Sequence, residues 1–234
     1  MKRCKIKFSD HFPTLIATDN NSELAVEILP FIVRYLDYAE KVYSKTCDIS
    51  GKIVADGLKD IWGYSTSYRP NYPKGFQELK DINAIKPLNE YFLLKSSEFL
   101  LKFGYTKETC KKLFICQMFA NEMFKGESHP VHRHPRAIVS GVFYLKVPDG
   151  SSPIAFHDPR PHTEYIGPDE NAVSKNTYNV SEFGIKPKVG DIVLFNSWLP
   201  HSVPPSTFQV EEGRVAVAFN VSVKNSWILN KISI

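Results

Sequence analysis

Near residue 113 the sequence changes its period, and that change most limits the fold. Upstream, Ile28, Ile32, Leu36, Ala39 and Tyr43 recur at three- and four-residue steps, as one face of an amphipathic helix requires. Asn20, Asn21 and Ser22 stand ahead of them as candidate N-caps. Pro30 either opens this helix at its first position or kinks it. Phe76, Leu79, Ile82 and Ile85 suggest a short second helix, interrupted at Lys86-Pro87. A third is expected from about Leu88 to Phe103, with Gly104 as its C′ residue.

Downstream the pattern is different. Leu113 to Phe119, Ile138 to Val147, Pro153 to Phe156, Asp191 to Phe195 and Arg214 to Val223 are short runs rich in Val, Ile, Phe and Tyr. Gly and Pro clusters bound them, the signature of antiparallel strands. Residues 158–188 carry no clear element, and a loop that long in a compact domain is often an active-site lid. There is no internal repeat. The expectation is one α+β domain over 1–234: a mainly helical part over 1–110, then a strand-rich core over 111–226 against which the helices pack.

Composition narrows the function. Lys and Arg number 29 against 25 Asp and Glu, a net charge of +4, too small a surplus to signal nucleic-acid binding. Apolar runs such as Tyr91 to Leu94 fall far short of the roughly 18 residues of a membrane span. The basic N-terminus is not followed by the apolar stretch of a signal peptide. Four cysteines without a CxxC pair suit a reducing compartment, so a cytoplasmic location is expected.

One count is uneven. Of seven histidines, all but His11 lie between His129 and His201. The densest stretch is Ser128-His129-Pro-Val-His132-Arg-His134-Pro135. In extended backbone His132 and His134 would point to one side, because strand side chains alternate, and two imidazoles there can share a divalent ion. His201, just after the strand that Gly190-Asp191 begins, is the candidate third ligand. Imidazole suits Fe, Zn, Cu or Ni alike. Arg214 opens the strand Arg-Val-Ala-Val-Ala-Phe-Asn-Val-Ser-Val223. It lies either at the rim in solvent or inside, where it could grip a carboxylate in a bidentate pair.

The order of these pieces resembles a known family. HxH is followed by Ser140-Gly-Val-Phe-Tyr-Leu145, then Ile154-Ala-Phe-His-Asp-Pro-Arg160. Pro187-Lys-Val-Gly-Asp-Ile-Val-Leu-Phe195, His201, Arg214 and Phe219-Asn220 follow. Over about Leu113 to Val223 this resembles the 2-oxoglutarate- and Fe(II)-dependent oxygenases, in particular a subfamily with an HxHP…SGVYYL…DPR pattern. More remotely it is similar to the prolyl 4-hydroxylase group. Trp62-Gly-Tyr-Ser-Thr-Ser67 extends the likeness loosely into the N-terminal part.

The resemblance implies a double-stranded β-helix (a jelly-roll, cupin-like core) with N-terminal helices against it. It implies Fe(II) and 2-oxoglutarate as cofactor and cosubstrate, a hydroxylase-type oxidation, and a small-molecule or peptide substrate. His132 and His201 would be iron ligands and Arg214 the grip on the distal 2-oxoglutarate carboxylate. Two departures stand out. The position of the usual aspartate holds His134, so the third ligand is His134 or else Asp158; His134 is favoured because its spacing from His132 is fixed locally. Where many relatives have Arg-x-Ser, this chain has Ala216, so Tyr144 or Asn121 on neighbouring strands would replace the serine hydroxyl. Tyr144 reads equally as a core aromatic, Ser140 and Asn220 are open in the same way, and Phe195 and Trp198 read as core. His129, His157 and His162 fall to supporting or loop positions.

Two other classes compete: a cupin-type metal-dependent dioxygenase that does not use 2-oxoglutarate, and a non-catalytic β-helix binding module. The first would carry a glutamate a few residues after HxH, where this chain has Pro135-Arg-Ala-Ile-Val139. The second would have no reason to keep His132, His201 and Arg214 together. Tyr64, Tyr68, Arg69, Tyr72 and Lys74 line a cleft or form a solvated loop. The sequence leaves the oligomeric state open, a homodimer being compatible with it.

Overall fold

The computed structural model describes residues 12–46, 64–65, 78–161, 180–207 and 212–224. His11, His162, Cys4, Cys47, Phe76 and most of the loops at 63–74 and 158–188 lie outside these residues.

Helix α1 (Ser22–Thr46) starts where the Leu24 amide donates to Asn21 Oδ1 at 3.1 Å, so Asn21 is the cap among the three candidates. Pro30 lies inside the helix on its exposed side, where water can take the carbonyl it leaves unbonded. Ile28, Ile32, Leu36 and Ala39 are buried, as their spacing requires. The expected second helix is instead two 3-10 turns, at Leu79–Asp81 and Asn83–Ile85. Pro87 does not interrupt a helix; it occupies the first turn of α2 (Lys86–Lys102), where a missing N–H costs nothing. Gly104 follows with φ +100°, and the Tyr105 amide closes the end on Leu100 O at 2.9 Å. A single turn, α3 (Lys107–Cys110), leads into the strands.

Among the described residues ten strands form two antiparallel sheets. The larger orders β1 (Ile16–Asn20), β8 (Asp191–Asn196), β5 (Val139–Lys146), β10 (Arg214–Val223), β3 (Leu113–Met123) and β2 (Tyr64–Ser65). The smaller orders β4 (His129–His132), β9 (His201–Val203), β6 (Ile154–His157) and β7 (Glu182–Ile185). This is the α+β arrangement expected, a jelly-roll with helices on its larger sheet. The stretch 158–188 is not wholly without structure: β7 pairs with β6 from Ile154↔Ile185 to His157↔Glu182.

The alternation of β10 separates two cores. Val215, Val217, Phe219 and Val221 face α1 and α2. Phe92 of α2 stacks on Phe219 at 3.8 Å between centroids. Gly141 on β5 makes room for this, since a Cβ there would come within 2.4 Å of the Phe219 ring. The opposite face, with Ala216, joins Tyr144, Phe156, Val193, Phe195 and Leu199 between the sheets.

Candidate metal centre

The register of the smaller sheet sets the site. His132, the last residue of β4, pairs directly with His201, the first of β9, and their rings sit 4.2 Å apart. His201 also pairs with Phe156, and Phe195 packs edge-on to its ring at 4.6 Å. His134 lies beyond the end of β4, so strand alternation does not place it. Its own amide does, donating to Ser197 O at 2.9 Å.

The three histidines converge. One nitrogen from each of His132, His134 and His201 lies within 4.8 Å of the others, and His134 Nε2 is 3.2 Å from His201 Nε2. Two imidazoles held at right angles about 2.1 Å from one ion would be about 3.0 Å apart, so this spacing fits a shared metal. The outer nitrogens are anchored: His201 Nδ1 donates to Leu199 O at 2.9 Å, and His132 Nδ1 donates to Pro130 O at 2.8 Å. A carbonyl only accepts, so in both rings Nε2 keeps the lone pair that a metal needs.

Burial keeps the cluster neutral. It pushes His201 down to about 2 and His134 down to about 4, each helped by the neighbouring His132. His132 is lowered by burial as well. A fourth histidine, His129, has Nδ1 3.1 Å from His132 Nδ1 and is pushed by burial to about 3. It stays outside the convergent trio. Asp158 does not join them: its carboxylate is gripped by Arg160, with Nε at 3.0 Å and Nη2 at 2.5 Å. Among the described residues no carboxylate is part of the group.

Arg214 points inward, not to the rim. It is 4% exposed. Nη1 donates to Ser152 O at 3.0 Å and Nη2 reaches Met123 Sδ at 2.9 Å. Nε has no partner, and no carboxylate among the described residues pairs with the guanidinium. Burial lowers its pKa. A buried cation without an anion costs several kcal/mol, so this group is built to receive one. Tyr144 and Asn121 flank Ala216 on either side, each in direct register with it. Tyr144 is also a core aromatic, 1% exposed and 5.7 Å from the guanidinium, its hydroxyl raised by burial to about 12. The core reading of Tyr144 therefore holds.

Arg214, Ala216, Ala218 and Asn220 alternate onto the face of β10 that looks away from the helices. Ala218 is the one residue of β10 that is not fully buried, and its register partners Phe119 and Val142 are half-buried too. Small side chains at Ala216 and Ala218 occupy the middle of this face, with polar Arg214 and Asn220 at its two ends.

Sequence reasoning left Ser140 and Asn220 open and passed over Gln117 and Ser197. The four form one network beside His134: Asn220 Nδ2 is 3.3 Å from His134 Nδ1 and 2.9 Å from Gln117 Oε1, and Ser140 Oγ is 2.7 Å from Asn220 Oδ1. The available signal was a serine and an asparagine inside otherwise apolar strands, since buried polar groups are there to be hydrogen-bonded. Trp198 departs from expectation: it is 49% exposed on the turn before β9, and Leu199 takes the buried place. His157 supports β9 from outside through Ser202 Oγ at 2.8 Å.

Comparison with known proteins bears on the fold. No curated protein matches the sequence. A prolyl hydroxylase from Trichoplax adhaerens, solved in complex with a hypoxia inducible factor oxygen degradation domain peptide fragment, is 14% identical with a TM-score of 0.52. That alignment covers 94% of this chain and 87% of that one. The non-heme monooxygenase ThoJ, solved as a nickel complex, is 10% identical with a TM-score of 0.51, over 91% of this chain and 75% of that one. An oxidoreductase of the 2OG-Fe(II) oxygenase family from Burkholderia pseudomallei is 17% identical with a TM-score of 0.43; the alignment covers 62% of this chain and 61% of that one. At these identities the first two show a shared fold. Residues 117–220, the greater part of the strand core, match the family model described as "Putative 2OG-Fe(II) oxygenase".

Proposed function

We propose that the protein is a 2-oxoglutarate- and Fe(II)-dependent oxygenase with a three-histidine iron site. One observation carries the reading: three convergent imidazoles stand together with a buried guanidinium that has no anion among the described residues. His132, His134 and His201 would hold Fe(II). Arg214 would hold the distal carboxylate of 2-oxoglutarate, with Tyr144 and Asn121 beside Ala216 offering the hydrogen bonds that serine supplies in Arg-x-Ser relatives. When bound, iron and 2-oxoglutarate supply the oxidising chemistry: 2-oxoglutarate, O2 and a substrate C–H become succinate, CO2 and a substrate C–OH.

The rest of the work belongs to the chain. Leu199 O and Pro130 O fix the tautomers of two ligands, and Phe156 and Phe195 exclude water from one side of His201. Three imidazoles bring no negative charge, so Fe(II) and Arg214 together present three positive charges to the interior. A dianionic cosubstrate is strongly drawn to such a site. The substrate class is a small molecule or a peptide, reaching the interior beside Phe119 and Val142.

Succinate release tests the activity. Protein reconstituted with Fe(II) under air should convert 2-oxoglutarate to succinate slowly without substrate, and this should require Fe(II). Failure to form succinate, together with failure to bind 2-oxoglutarate, would favour the cupin-type or binding-module alternatives.

A further inference from the structure

A histidine that ligates through Nε2 must carry its proton on Nδ1, and that proton needs an acceptor. For His201 and His132 the acceptors are backbone carbonyls, which have one polarity only. His134 differs, because its Nδ1 faces the side-chain amide of Asn220. An amide offers a donor at one end and an acceptor at the other, and a ligating His134 accepts only the oxygen end.

The surroundings of Asn220 allow that end to be presented. Its side chain is locked in place, 1% exposed, against equally buried Ser140 and Ser197. Ser140 Oγ is 2.7 Å from the amide oxygen and 3.0 Å from Ser197 Oγ. Gln117, opposite Asn220 on β3, meets the amide nitrogen with its own Oε1 at 2.9 Å and is exposed, so it turns freely. With both amides turned, His134 Nδ1–H and a Gln117 Nε2–H donate to Asn220 Oδ1. Asn220 Nδ2–H then donates to Ser140 Oγ, and the Ser140 hydroxyl donates to Ser197 Oγ. Every contact keeps one donor and one acceptor, so reversal leaves both amide atoms of Asn220 with a partner.

We propose that Asn220, backed by Ser140 and Gln117, is the positioning residue of the third iron ligand, selecting the His134 tautomer whose Nε2 is free to bind metal. The inference rests on the three-histidine reading above. It concerns the position where aspartate stands in relatives, since a carboxylate ligand has no tautomer to select.

Metal affinity tests this, measured with Co(II) and Zn(II) on chelator-treated protein. Asn220→Leu should weaken binding about 10- to 100-fold, the usual loss for a group that orients a ligand. Asn220→Asp can only accept from Nδ1–H, so it should bind metal at least as tightly as the parent. It should also lower the Tm of the metal-free protein, because it buries a charge. That split separates positioning from a merely structural role, which would lower affinity and stability together. In the Zn(II)-loaded parent, nitrogen NMR of labelled histidine should find the His134 proton on Nδ1, a reading that survives even if Asn220→Leu does not fold. Affinities within twofold of the parent for both variants, an Asn220→Asp that loses affinity, or a proton on Nε2 would overturn the inference and leave the iron site standing. A parent that takes up neither metal would overturn both.

Discussion

Replacing Arg214 with methionine should move two quantities in opposite directions. The guanidinium is 4% exposed, has no carboxylate partner among the described residues, and holds only a carbonyl and a thioether. Removing one member of a buried ion pair costs about 3–5 kcal/mol. At about 1.4 kcal/mol per tenfold, affinity for 2-oxoglutarate should fall by roughly 10²- to 4 × 10³-fold. Without the cosubstrate the sign reverses. Methionine removes a desolvated charge that costs several kcal/mol, against the loss of one hydrogen bond to Ser152 O, about 1–3 kcal/mol. A net gain of about 1 kcal/mol would raise Tm by roughly 2–4 °C. Calorimetric titration of 2-oxoglutarate into the Mn(II)-loaded protein and a thermal melt of the unliganded protein read the two. A loss of affinity below tenfold would refute the assignment of Arg214 as the carboxylate grip. A Tm lowered by several degrees would refute the claim that its charge is uncompensated.

Three further outcomes follow from the same structure. Burial depresses His129, His134 and His201 to about 3, about 4 and about 2, so below pH 6.5 the unfolded chain binds protons that the folded one does not. Stability of the chelator-treated protein should therefore fall as pH drops from about 6.5 towards 4, by on the order of 1 kcal/mol per pH unit for each histidine; a flat Tm profile over that range would contradict it. Gly141→Ala drives a methyl into the Phe219 ring and should cost about 1–3 kcal/mol, seen as a lower urea midpoint at unchanged slope. Asn21→Ala removes the cap of α1 and should cost about 0.5–2 kcal/mol, with a midpoint equal to the parent as the contrary result.

What the sequence showed and what it hid have physical causes. Long strands with strong β-branched and aromatic content, such as Arg214–Val223, were legible to the residue. Of the smaller sheet only β6 was legible: His129-Pro-Val-His132 and His201-Ser-Val203 contain proline, histidine and serine, and pairing with β6 and β9 stabilises them, not propensity. Glu182-Phe-Gly-Ile185 was read as loop for the same reason. His132 and His134 were legible as a pair because their spacing is local, and His201 because it follows an apolar strand in the motif order. The partner of His134 was not, because Asn220 lies 86 residues away and only the sheet register brings it there. Nor could alternation alone decide whether Arg214 faced solvent or the interior, since that depends on which face the second sheet covers.

The most direct test of the three-histidine iron site is anaerobic titration with Fe(II) and 2-oxoglutarate, followed in visible light. The parent should bind one equivalent of each and develop a charge-transfer band. Asp158→Ala should keep the band, because Asp158 is held by Arg160 away from the histidines, and His134→Ala should lose it. A band that survives in His134→Ala and vanishes in Asp158→Ala, or a parent that shows none, would contradict the account.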